Sequence, residues 1–371
     1  MKLEIVQGLL HKVASGMFSD DELADNGIFF QTMAKFKYDG YKQYAPGMRF
    51  LERFALWLQQ FDDINDRKIA FNFVKNKLIY ISGPEMDLLV SSSYPDVVKP
   101  ILGRSVAEKL GIPEYKINKI YDNIHFKSLL RQSLFCGLSD GARTEIFRRA
   151  NNNFLSHEQI YQTYELSDKR ATKMKEELTS DQINILGRVP SNEESKFKFL
   201  FLLDDFSASG TSYLKYNTLT NTFKGKINAL YENIYNRNNL SDVFDLNNLE
   251  VHIILYLCTE QAKENIEANL ELLANNFSLS KKPSLHVSCL IPDSYRITDE
   301  DIKYLCNKDT YYDASALEDK HTGTVKMGYS DCALPIVLYH NCPNNSVSIL
   351  WAYENAEFQG LFPRVPRHKE I

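Results

Sequence analysis

The sequence predicts an α/β protein, a parallel sheet flanked by helices and preceded by a helical extension. Three observations predict it. Four runs of strand length stand at residues 133–138, 197–203, 249–258 and 285–291, and 197–203 is apolar but for one Lys, the pattern of a strand covered on both faces. Helical spacing lies between them, as in 260–277, where Ala262, Ile266, Leu270 and Leu273 share one side. Strand and helix in alternation imply parallel strands joined by right-handed crossovers. Two domains are expected, a helical lead-in over 1–130 and the α/β domain over 131–371.

With 371 residues, 44% of them hydrophobic, the chain can build one large core or two smaller ones. A net charge of -5 gives no global attraction to nucleic acid, and none is expected to bind directly. The six cysteines are scattered with no C-x-x-C pair, which argues against a structural zinc site. The first residues lack a signal-peptide pattern and no long apolar span follows. A cytoplasmic protein with reduced thiols and no membrane partner is the expectation.

Along the chain, residues 1–66 read as helical. Phe50, Leu51, Phe54, Ala55, Leu58 and Phe61 fall at helical spacing, with Trp57 read as core. Asp62 to Asp66 supplies a cap, and a helix is expected to run on from Arg67. A short apolar run at 78–81 ends at Ser82-Gly83-Pro84, and 94–133 is helical with a break at Gly111-Ile112-Pro113. After the 133–138 strand come Ser139, Asp140, Gly141, Ala142 and Arg143, with a helix from Thr144. Gly141 allows close approach or a positive φ, and Arg143 offers a bidentate fork. The charged stretch 157–196 holds Lys169, Arg170, Lys173, Lys175 and Arg188. Late in the chain, 332–340 reads as a further strand and 341–346 as a polar turn. His252 and His286 lie inside strands and read as structural.

The organising stretch is 197–215. Its apolar run ends in adjacent acids, Asp204 and Asp205, followed by Ser207, Ala208, Ser209, Gly210, Thr211 and Ser212, with a helix expected from Tyr213. Ligands of open α/β sheets sit at the carboxyl ends of strands. Small residues let main-chain N–H groups approach a phosphate at a helix start, and the hydroxyls add donors. The two carboxylates suit ribose hydroxyls or a Mg²⁺ brought by the substrate. An Asp-x-Asp phosphatase spacing and a Gly-Lys-Ser/Thr P-loop are both absent. An ordinary strand–turn–helix connection remains the alternative.

Apolar strand, two acids, three residues, Ser-Gly and then Thr resembles the phosphoribosyl pyrophosphate (PRPP) motif of type I phosphoribosyltransferases. DDFSASGTS, with GLSDGARTEIFRRAN at 137–151 and HNCPNNSVSILW at 340–351, is more similar to a PRTase-CE-like branch found in bacterial conflict and phage-defence loci. The resemblance spans about residues 49–351. It implies that Asp204 and Asp205 hold the ribose and substrate-borne Mg²⁺, that residues 207–212 cradle the 5′-phosphate, and that Ser139, Asp140, Gly141 and Arg143 meet pyrophosphate. It places a mobile cationic hood at the charged stretch, where a solvated helix is the other reading, and gives the acceptor base to Asn344, Asn345 and Trp351, which as readily form a turn and core packing. The implied activity is that of a toxin-like defence effector acting on PRPP or a nucleotide, with protein partners from its operon. The alternative is an inactive PRPP- or nucleotide-binding module with a regulatory or interaction role.

Overall fold

The computed structural model describes residues 3–163, 168–236, 242–318 and 323–364. Its strands are β1 (Ile79–Ile81), β2 (Ser133–Gly137), β3 (Ile160–Tyr161), β4 (Phe199–Ser207), β5 (Lys215–Asn217), β6 (Thr222–Lys224), β7 (Glu250–Thr259), β8 (Ser284–Ile291) and β9 (Ile336–Leu338). The chain divides into two compact units, Met86–Ile291 on one side and Met1–Glu85 with Pro292–Ile371 on the other. The expected boundary after residue 130 falls within Met86–Ile291. The helix Ile124–Arg131 is stitched to the helix Asp168–Leu186 there. Ser128 Oγ donates to Gln182 Oε1 at 2.9 Å, Gln182 Nε2 returns a bond to Ser128 O at 2.9 Å, and Arg131 Nε reaches Asp181 at 2.6 Å.

In Met86–Ile291 the strands lie in the order β3-β2-β4-β7-β8, every neighbouring pair parallel. Burial on both faces explains the apolar runs of β2, β4 and β7, whereas β8, at the sheet edge, is half-buried. Leu200 and Leu202 of β4 face a layer with Leu134, Ile253 and Leu255, covered by Met174, Leu178, Ile227, Leu230, Ile266 and Leu270 of the helices. Phe201, on the opposite face, stacks on Phe135 with ring centroids 5.1 Å apart, and Phe147 closes on Phe135 at 5.1 Å. Each buried aliphatic side chain contributes roughly 1.5–3 kcal/mol, so β4 and β7, the most continuously buried strands, anchor this unit's core.

Residues 168–186 form a helix whose Ala171, Met174, Leu178 and Gln182 are buried at helical spacing. Two of its cations are engaged locally, Lys173 with Glu177 at 3.4 Å and Arg170 over the Tyr161 ring at 4.9 Å, while Arg188 beyond it grips Glu194 through two 2.8 Å bonds. The mobile-hood expectation is not met over residues 168–186, where Ala171, Met174 and Leu178 anchor the helix on the core of the unit.

The other unit is built on aromatic packing. Phe30, Phe50, Phe54, Phe71, Trp57 and Phe61 are all buried, with Phe30 and Phe54 centroids 4.7 Å apart. The helix Ile64–Asn76 starts three residues before Arg67, because Asp63 accepts from Asn65 N at 2.7 Å and Asp66 N at 3.2 Å. Of the 332–340 run only Ile336–Leu338 is a strand. It joins β1 in a parallel two-stranded sheet, Tyr80 opposite Val337, and is no part of the larger sheet.

All six cysteines are free thiols. Among the described residues no helix is long and apolar enough to cross a membrane.

Candidate functional site

β2 and β4 are adjacent and parallel, so their carboxyl ends bring the loop 139–143 beside Asp204 and Asp205. Alternation along β4 turns the two acids to opposite faces, and their surroundings differ completely.

Asp204 is 1% exposed and surrounded by donors. On Oδ1 it accepts a short bond from Ser139 Oγ, and one from Asp205 N at 3.1 Å. Oδ2 accepts from Tyr213 OH at 2.7 Å and from Lys226 Nζ at 3.1 Å. Burial and the neighbouring Asp205 push its carboxyl above the usual range, against the pull of Lys226, Ser139 and Tyr213. With both oxygens engaged, Asp204 ties the loop, the strand and the helix Lys226–Asn236 together.

Asp205 is half-buried, and its Oδ1 accepts from Phe206 N at 2.8 Å. Its carboxylate lies against Gly141. A β-carbon there would come within 2.4 Å of it. Of the two roles expected for Gly141, close approach is the one used. The left-handed position is Arg143, at φ 50°, a conformation that costs a non-glycine residue about 1–3 kcal/mol. Ser139 Oγ accepts from Gly141 N at 3.1 Å, and Tyr256 OH donates to Ala142 O at 2.8 Å, which pins the loop. Asp140 is exposed.

The small-residue turn is held from behind. Thr259 Oγ1 donates to Ala208 O at 2.6 Å and Asn265 Nδ2 to Ser209 O at 3.0 Å. Gly210, at φ 78°, packs so closely that a β-carbon would lie 3.0 Å from Ala262 O. Ser207 and Ser209 are buried, Thr211 is half-buried and Ser212 exposed. Ser209 Oγ and Thr211 Oγ1 share a bond of 2.9 Å. Among the described residues the N–H groups of Gly210, Thr211 and Ser212 find no main-chain acceptor.

No helix begins at Tyr213. Tyr213 N and Leu214 N close one turn onto Gly210 O at 3.1 and 3.3 Å, then the chain leaves as the β5–β6 hairpin. The helix starts at Lys226. Ser212 O accepts from Lys226 N at 3.3 Å and Tyr213 O from Ile227 N at 3.0 Å, so the hairpin is inserted into an interrupted helical turn. Gly225, at φ 112°, makes the re-entry, and a β-carbon on it would lie 2.5 Å from Tyr213 O. The turn therefore still meets the start of a helix, through the main chain of Lys226 and Ile227.

Asn344, Asn345 and Trp351 are in the other unit. Trp351 is 2% exposed and its Nε1 donates to Ser346 O at 2.7 Å. Asn345 Nδ2 donates to Tyr329 O at 3.1 Å and Cys332 Sγ at 3.4 Å, while Asn344 O accepts from Tyr329 N at 2.7 Å. These contacts are those of a packed core and a braced turn.

Sequence reasoning did not single out Tyr213, Lys226, Tyr256, Thr259 or Asn265 for the site. Only Lys226 carried a local signal, as a cation directly after Gly225 at a helix start.

Mg²⁺ held by protein alone does not fit. Among the described residues no group of three His, Cys, Asp or Glu could hold a metal, and Asp204 is saturated. A Mg²⁺ arriving on phosphate oxygens needs one or two carboxylates, and Asp205 is the carboxylate that would meet it.

A parallel sheet with acids and two short loops at the carboxyl ends of adjacent inner strands defines a phosphoribosyltransferase-like α/β protein. Residues 55–364 match the PRTase-CE family model, and the chain belongs to that family. Neither a search of curated proteins nor one of solved structures returned a match.

Proposed function

We propose that the protein binds a ribose phosphate, as PRPP or a nucleotide with its Mg²⁺, at the carboxyl ends of β2 and β4. The observation carrying this reading is Asp205, a carboxylate seated against Gly141 between the 139–143 loop and the 207–212 turn. Asp205 accepts from the ribose hydroxyls and meets the substrate's Mg²⁺. The N–H groups of Gly210, Thr211 and Ser212, with the hydroxyls of Thr211 and Ser212, donate to the 5′-phosphate. Arg143 faces pyrophosphate with its guanidinium fork.

In phosphoribosyl transfer the bond from ribose C1 to pyrophosphate oxygen breaks, and pyrophosphate leaves with the electron pair. C1 gains oxocarbenium character and the acceptor nucleophile bonds to it. The protein's share is positioning and electrostatic stabilisation. The resemblance of 137–151, 204–212 and 340–351 supports a cytoplasmic, toxin-like effector of an anti-phage system, with partners from its locus. Calorimetry with PRPP and Mg²⁺ tests the binding, and Asp205→Asn is expected to abolish it; unchanged affinity in that variant would overturn the assignment. Metabolite profiling of cells expressing the protein tests the effector role, with a fall in one nucleotide pool expected.

The closure of Asp204 favours a second reading, a module that binds the same ligand without turnover. Product formation from PRPP with a panel of bases separates the two.

A further inference from the structure

The β5–β6 hairpin leaves the 207–212 turn and returns to Lys226, whose Nζ is on Asp204. In a chain of net charge -5, the stretch from Phe206 to Tyr231 contains three lysines, Lys215, Lys224 and Lys226, and no carboxylate. Lys215 and Lys224 are paired directly across the two strands. Cross-strand neighbours share one face with β-carbons about 4.5–5.5 Å apart, and like charges there are destabilising. Both side chains are exposed, and neither has an ion-pair or hydrogen-bond partner among the described residues. The opposite face carries Tyr216 and Phe223, centroids 4.8 Å apart, which hold the hairpin together. Phe223 also packs on the core of the unit. The repulsion is therefore maintained on a braced scaffold, three residues beyond Ser212.

We infer that Lys215 and Lys224 form a subsite for phosphoryl groups beyond the first, and that the ligand is a nucleoside 5′-di- or triphosphate. This rests on the phosphate turn of the proposed function and extends it. Lys215 follows Ser212 by three residues, so its long side chain and that of Lys224 opposite are within reach of phosphates that follow a 5′-phosphate on the turn, and an anion between the two ammonium groups removes their repulsion. PRPP carries a single 5′-phosphate, so it leaves this subsite empty.

The test is calorimetry of the full chain with ribose 5-phosphate and with the mono- and triphosphates of the four common ribonucleosides, each with Mg²⁺. At least one triphosphate is expected to bind tenfold or more tighter than its monophosphate. Lys215→Gln with Lys224→Gln is expected to remove most of that gain and leave monophosphate affinity within twofold. Lys215→Glu places an acid opposite Lys224; it is expected to raise the melting temperature and still lose the gain, which separates ligand binding from hairpin stability. Monophosphates and triphosphates binding equally, or a double variant that weakens both alike, overturns the subsite alone. No binding by any of these compounds, ribose 5-phosphate included, overturns the phosphate turn as well.

Discussion

Gly141, in the loop after β2, and Asp205, near the end of β4, leave no room between them. A β-carbon on Gly141 would lie 2.4 Å from the Asp205 carboxylate. Because Gly141 is not among the positive-φ residues, its glycine is required for space rather than for backbone conformation. The two acids differ in surroundings, since Asp204 is enclosed on the other face of β4 by Ser139, Tyr213 and Lys226.

Gly141→Ala is therefore expected to act on binding more than on folding. The methyl displaces one short side chain and introduces no strained φ, so stability should fall by about 1 kcal/mol or less. Ligand affinity should fall at least tenfold. Urea unfolding and calorimetry with PRPP and Mg²⁺ measure the two effects, and a variant with full affinity would mean that Asp205 does not depend on this packing.

Asp204 and Asp205 are expected to separate in the same way. Asp204→Asn turns an amide N–H₂ toward two of the four donors. Leaving buried donors unsatisfied costs about 2–4 kcal/mol in all. Asp205→Asn should cost under about 1 kcal/mol and abolish ligand binding. Denaturation midpoints of the two variants, compared with wild type, decide it; equal midpoints would contradict the enclosed role of Asp204.

Acid sensitivity is expected from β7 and β8. His286 Nε2 lies 3.1 Å from His252 Nδ1, which is also 3.0 Å from Ser284 Oγ. Burial, then His252 and Arg104, lower the His286 pKa to about 4. The unfolded chain binds this proton more readily than the folded one. Stability is thus fully present above the ordinary histidine value near 6.5 and is lost as pH falls from there to about 4. The loss should be about 1–3 kcal/mol, and His286→Gln should flatten that part of the pH profile of the urea midpoint.

In the unit of Met1–Glu85 with Pro292–Ile371, the turn bracing Asn344 and Asn345 depends on Gly328. Its φ is 85°, and a β-carbon would lie 2.1 Å from Asn345 O. Gly328→Ala meets both strain and main-chain overlap, so a loss of more than about 2 kcal/mol is expected. Thermal unfolding followed by calorimetry reads it directly.

The sequence alone determined the inner strands, the acid pair and the turn. Each is a local pattern: runs such as 197–203 and 249–258 are mostly apolar because both faces of their strands are covered, and Asp204, Asp205 and residues 207–212 follow one another in the chain. Only the tertiary structure decided what meets them. Tyr213 and Lys226 reach Asp204 across an inserted hairpin, and β1 finds its partner in β9, more than 250 residues away. Periodicity carries no information about such partners, because it records which face of an element is apolar and not what packs on it. The division of labour between the two acids came from the same source. Adjacent carboxylates look alike in a sequence, but the pleat sends one into a closed ring of donors and leaves the other beside a glycine with a half-open side.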